Sequence, residues 1–132
     1  MKIERNVIQQ MIRQAEQDAP LETCGYLLGQ DGTVTENYPM TNTDHSAEHF
    51  SFDAREQFAA LRYARGKGLA ILANWHSHPA SPSRPSAEDL RLANDPSISY
   101  AILSLHNGIC LNSFRILNGE VVEKETHLRV VL

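Results

Sequence analysis

Apolar residues recur at Ile3, Val7, Ile8, Met11, Ile12 and Ala15, the spacing of one helix face, and predict an amphipathic helix over residues 4–18 that Pro20 stops. The period then shortens. Leu21 to Gly29 reads as a short apolar strand entered by an acid, Glu22. Gln30-Asp31-Gly32 is a hairpin turn, and Thr33 to Tyr38 is the returning strand. Residues 39–49 are polar and loop-like, while Phe50-Ser51-Phe52 alternates like a brief strand. Asp53 has the character of a helix N-cap, and Glu56, three residues on, completes a capping-box pattern. That helix runs through Phe58, Leu61 and Ala64 to Gly66-Lys67-Gly68. Leu69 to His76 is largely apolar, as expected of a buried central strand. After a proline-rich loop, Ser86 is placed to cap a short helix carrying Asp89, Leu90, Leu92 and Ala93, which Asn94-Asp95-Pro96 ends. Strands over 99–105, 108–117 and 121–131 follow, the last two joined by the hairpin signal Asn118-Gly119. The order predicts a mixed α+β domain in which helices flank a sheet.

Composition narrows the function classes. A chain of 132 residues is most simply one domain, residues 1–132, able to bury a core without disulfide staples. A net charge of -4 and the lack of a basic run give no reason to expect nucleic acid as a partner. No apolar stretch has the length of a membrane span, and Met1 to Arg5 lacks the apolar core of a signal peptide. Two cysteines, Cys24 and Cys110, make no disulfide framework, so a cytoplasmic location is the expectation.

The chemistry concentrates after the central strand. In an extended chain alternate side chains share a face, so His76 and His78 project together while Ser77 points away. Two imidazoles begin a zinc site and a carboxylate could complete it, with Asp89 the candidate returned by the loop. Pro79, Pro82 and Pro85 restrict that loop and lower the entropy cost of holding one geometry. Ser86 and Asp89, three apart, share one face of a helical turn. Two partly buried histidines that merely hydrogen-bond to neighbours remain the bland alternative.

His76-Ser77-His78-Pro79, seven intervening residues, then Ser86-Ala87-Glu88-Asp89 resembles the JAMM motif of the MPN-plus zinc metalloproteases. The upstream stretch from Pro20 to Gly29 is similar to the family's strand bearing its catalytic glutamate, and Tyr100 to Leu105 and Phe114-Arg115-Ile116 fit loosely. The resemblance implies a single JAMM/MPN domain with a mixed, mostly antiparallel sheet, related in architecture to cytidine deaminases. It implies Zn²⁺ held by His76, His78 and Asp89, with water in an open fourth position. It further implies that Glu22 takes and delivers the proton and that Ser86 donates its hydroxyl to the developing oxyanion. The reaction would be hydrolysis of a peptide or isopeptide bond without an acyl-enzyme. Short prokaryotic members imply a substrate class, ubiquitin-like or sulfur-carrier proteins cleaved after a diglycine tail. Residues 39–50 and the loop 79–85 are candidate walls of a groove for that tail.

Other residues read less sharply. Glu22 without the resemblance is a solvated strand-end acid, and Glu88 falls one residue off the motif and reads as solvent-facing. Cys24 and Cys110 read as core, Trp75 as packed away from the histidines, and Ser77 as a residue that reaches backbone groups. His45 and His49, with Asp44 and Glu48, lie in a polar loop and read as surface; His106 is a turn residue and His127 has no partner pattern. Two other classes compete: a non-catalytic MPN-type interaction module, which would typically lose motif residues, and a zinc deaminase. The deaminase needs His-x-Glu and Pro-Cys-x-x-Cys, and the chain has neither.

Overall fold

The computed structural model describes residues 1–131. A seven-stranded sheet in the order β1-β3-β2-β4-β5-β6-β7 carries the molecule. Its strands are β1 (Lys2–Ile3), β2 (Cys24–Gln30), β3 (Thr33–Met40), β4 (Ala70–His78), β5 (Ser99–Ser104), β6 (Gly108–Leu117) and β7 (Glu120–Val131). Helices α1 (Arg5–Asp18), α2 (Ala54–Gly66) and α3 (Ala87–Leu92) flank it. Most pairs are antiparallel; β1–β3 and β4–β5 are parallel. Because parallel neighbours cannot be joined by a tight turn, the β4–β5 connection must cross over. That crossover is the proline-rich loop and α3, which is why chain returns above the end of β4.

Two of the three hairpins close on two-residue turns where the turn chemistry requires it. Asp31-Gly32 and Asn118-Gly119 hold positive φ at both positions (54° and 76°, 52° and 76°), the conformation of a twist-matched two-residue turn. Gly25 is needed for a different reason. A Cβ there would stand 2.8 Å from the Trp75 indole nitrogen, which donates to Asn37 Oδ1.

Period-2 alternation divides the strands between two faces. On one, Leu27, Ala73, Trp75, Ala101, Leu103 and Leu111 pack against Val7, Met11 and Ala15 of α1, all of them fully buried. On the other, Cys24, Tyr26 and Leu28 meet Ala60 and Ala64 of α2, and Ile102, Phe114 and Ile116 meet Leu90 and Ala93 at α3. Between these two smaller clusters lie His76 and His78. No helix among the described residues is long and apolar enough to cross a membrane.

Several sequence expectations need correction. Ile3 does not extend the first helix but pairs with Val34 as β1. The strand expected from Leu21 begins at Cys24, so Glu22 precedes it, and β4 runs two residues further to include both histidines. Phe50-Ser51-Phe52 forms no strand; its alternation reflects two anchored rings, Phe50 on His76 and Phe52 on Tyr26. Asp53 does cap α2, accepting from the Arg55 amide, but Glu56 does not complete the box. Its carboxylate instead takes the amide and hydroxyl of Thr41 at 2.8 Å each. Cys110 is only partly buried. His127 has a partner, Ser113 Oγ at 2.7 Å. A bulge between Leu111 and Asn112 leaves His127 without a cross-strand residue and creates that contact.

Candidate functional site

The site assembles from four pieces of chain. β4 supplies His76 and His78 on one face, and its parallel neighbour β5 places Ile102 and Ser104 opposite them. His76 Nε2 and His78 Nε2 lie 3.1 Å apart, and Asp89 Oδ2 lies 3.2 Å from each. This near-equilateral triangle is what three corners of a tetrahedron require. Ligands about 2.0–2.1 Å from zinc stand about 3.3 Å from one another. The donor set therefore fits a zinc ion with one position left open.

Each of the three candidate ligands is fixed by a second contact. His78 Nδ1 lies 2.9 Å from the Pro82 carbonyl, which can only accept, so Nδ1 carries the proton and Nε2 presents a lone pair. Phe50 stacks on the His76 ring at 4.6 Å between centroids. Asp89 is held by a capping box: the Ser86 amide donates to Asp89 Oδ2 at 2.9 Å, and the Asp89 amide donates to Ser86 Oγ at 3.0 Å. The carboxylate oxygen that starts α3 is thus the one aimed at both imidazoles. Ser86 Oγ only accepts in this box, leaving its proton free to donate.

Electrostatics follow from burial and these contacts. Burial lowers the pKa of His76 despite the Asp89 hydrogen bond, favouring the neutral imidazole a metal needs. Burial also opposes charge on His78, but its hydrogen bonds to Asp89 and Pro82 outweigh that and raise it. Burial would raise Asp89, yet the two histidines and the Ser86 amide hold it well below the usual carboxylate range.

Glu22 arrives from the opposite side. The register Cys24↔His76 and the pairing of Ser77 N with Thr23 O carry the chain before β2 alongside the end of β4. Ser77 Oγ accepts the Thr23 amide at 2.9 Å, so Ser77 does reach backbone, that of Glu22's neighbour. Glu22 is 4% exposed, and its Oε1 is buried without a hydrogen-bond partner. Burial, with a further push from the Asp89 charge, raises the carboxyl from 4.5 to about 8, against the pull of His78.

Asn42 is a residue sequence reasoning missed. Its Nδ2 donates to Glu22 O at 3.0 Å and His49 O at 3.1 Å, while Oδ1 accepts from the amides of Asp44 and Ser51. One side chain thereby ties the 42–51 loop across Glu22. The only signal was Asn42-Thr43-Asp44, a turn-forming pattern. His49 pairs with Asp44 at 3.0 Å on the exposed side of the loop, and Glu88 is half-exposed beside Arg91. Cys24 is core: burial pushes its thiol to about 12, far from a reactive thiolate. Of the expected groove walls, only Phe50 from 39–50 and Pro85 from 79–85 line the cavity of about 290 Å³ beside His76 and Asp89; Phe52, Leu92 and Ile116 supply more of it.

A two-histidine, one-carboxylate centre on a mixed sheet, with a buried glutamate beside it, defines a metal-site class of α+β protein. The JAB1/MPN domain protein from Archaeoglobus fulgidus has the same fold (TM-score 0.63, 23% identity, covering 93% of this chain and 94% of that one). The sequence profile described as prokaryotic homologs of the JAB domain matches residues 4–117, and the chain belongs to that family. A protein from Desulfitobacterium hafniense solved in solution is 44% identical, with a TM-score of 0.86 over 96% of this chain and 90% of that one. The CysO-cysteine peptidase of Mycobacterium tuberculosis is 30% identical over 130 residues, 96% of this chain and 89% of the relative.

Proposed function

We propose that this hydrolytic enzyme, acting as one domain, cleaves a peptide or isopeptide bond after the C-terminal diglycine of a ubiquitin-like or sulfur-carrier protein. His76, His78 and Asp89 would hold one zinc ion, with Glu22 as general base. The observation that carries the reading is the unpartnered, buried Glu22 carboxylate beside three ligand atoms already at tetrahedral spacing. Zinc bound there would activate a water molecule and polarise the scissile carbonyl. Glu22 would take that water's proton and return it to the departing amine. Ser86 directs its free O–H toward the developing oxyanion. Phe50 and Asn42 hold the loop that keeps bulk water from Glu22.

The mycobacterial relative is named for cleavage of a CysO-cysteine linkage, which supports a reading in which an amino acid is released. The cavity of about 290 Å³ beside the ligands suits a short extended tail, and glycines at the scissile end would let backbone approach the metal closely. Two free thiols fit a reducing cytoplasm.

The test is to incubate zinc-loaded protein with diglycine-tailed carrier fusions, with and without a chelator, and to weigh the products. Cleavage after Gly-Gly that the chelator abolishes is the expected result. A protein that binds one zinc per chain but leaves every fusion intact would overturn the diglycine reading.

A further inference from the structure

The loop between β4 and α3 is a partition on the site face of the sheet. Pro85 faces the cavity beside the metal ligands, which also carries the carboxylates of Glu88 and Asp89. Pro82, Ser83 and Arg84 face a second cavity of about 450 Å³, which contains none of the proposed ligands or catalytic groups. Its remaining wall comes from the ends of β5 and β6, the intervening turn, and β7.

The charge of this cleft is opposite to that of the chain. Acidic residues outnumber basic ones, 16 to 12, yet the lining contains Arg84, Lys124 and Arg129 and no aspartate or glutamate. All three cations are exposed, and none takes part in an ion pair among the described residues. Converging like charges repel, and an arriving anion relieves that repulsion while gaining attraction to each. Pro82 and Val131 add apolar surface to the cleft, so it suits a peptide segment mixing carboxylates with aliphatic side chains better than a bare inorganic anion.

The partition is held firmly. Ser83 Oγ donates to Ile102 O at 2.6 Å, Asn112 Nδ2 donates to Ser83 O at 2.9 Å, and Pro82 O accepts a hydrogen bond from His78 Nδ1. A partner resting against Arg84 is therefore registered to the metal ligands through a few fixed bonds. The proposed substrate is a protein, and only its tail fits the cavity beside the ligands. Its folded part needs another footing on the same face.

We propose that the Arg84–Lys124–Arg129 cleft docks an acidic segment of the protein substrate outside its scissile tail. This rests on the protein-cleaving reading above, and two arms keep the failures apart. In the first, the full chain is titrated with a glutamate-rich peptide and followed by backbone amide NMR. Shifts should concentrate at residues 82–84, 106–110 and 124–131. They should vanish in the triple variant Arg84→Glu, Lys124→Glu, Arg129→Glu and fade at about 0.5 M salt. A lysine-rich peptide giving the same shifts, scattered shifts, or none would overturn the proposal whatever the enzyme cleaves. In the second, the triple variant should raise KM about tenfold for a carrier fusion while leaving kcat/KM for a short diglycine peptide unchanged. Equal losses on both substrates, or none on the fusion, would also overturn it. Failure of wild-type protein on both substrates sinks the protein-cleaving reading, and the first arm still decides the cleft. The three side chains are exposed, so the variant should fold, as its amide dispersion would verify.

Discussion

The two faces of the sheet divide the work. Under α1 the sheet presents a continuous layer of fully buried apolar side chains from Leu27 to Leu111. The other face is broken into two smaller apolar clusters, and the gap between them holds Glu22, His76, His78 and Asp89. Burying those groups costs free energy, and the α1 face must offset it. A catalytic site can be kept buried and partly unsatisfied only where a neighbouring layer stabilises the fold without it.

The contrast can be broken in order of expected effect. Glu22→Gln should lower kcat by about 10³-fold, within the usual range for a general base, while zinc stays bound. The same variant tests the stability cost. Because the Glu22 carboxyl is raised from 4.5 to about 8, the folded chain holds a proton that the unfolded chain releases between those values. Metal-free wild-type protein should therefore lose stability as pH rises from about 4.5 to 8, on the order of a few kcal/mol at most. Glu22→Gln should flatten that slope, and an unchanged slope in denaturant titrations would mean Glu22 is ordinarily solvated.

Leu103→Ala on the opposite face should cost about 2–5 kcal/mol of unfolding free energy, yet leave zinc stoichiometry intact below the transition. Asp89→Ala should weaken the metal site first. Zinc affinity should drop by at least about 100-fold in a chelator competition, beyond the effect of losing an outer contact, and metal-free stability should fall by about 2 kcal/mol as the α3 cap and the pairing with both imidazoles are lost. Ser86→Ala should show the smallest stability change, about 1 kcal/mol for the lost cap. It should lower kcat more than that cap alone explains; unchanged kcat would leave Ser86 a structural residue only.

How far the sequence foretold this depends on range. Local periodicity located every helix and the larger strands, because 3.6- and 2-residue patterns are properties of a few turns of chain. The cluster that could hold a metal was readable for the same reason: two histidines on one strand, then Ser86 and Asp89 on one turn. Glu22 was not readable locally. Its place beside the histidines depends on the β2–β4 register across more than fifty residues, and only the family resemblance suggested it. The failures share a cause. Phe50 and Phe52 alternate because each ring has its own tertiary partner, and Glu56 left its helix cap for Thr41. Asn42 satisfies four backbone groups that no spacing rule could assemble.

The capping box at Ser86 has one more consequence. Asp89 Oδ2 serves two masters, accepting the amide of Ser86 at the N-cap of α3 and standing ready for a cation between the imidazoles, and α3 has only six residues with none buried. Folding of that short helix and occupancy of the centre are therefore thermodynamically linked: what steadies one steadies the other. Hydrogen exchange at the Ser86 and Asp89 amides should slow when zinc is added, making this one turn of chain a built-in gauge of whether the enzyme is loaded.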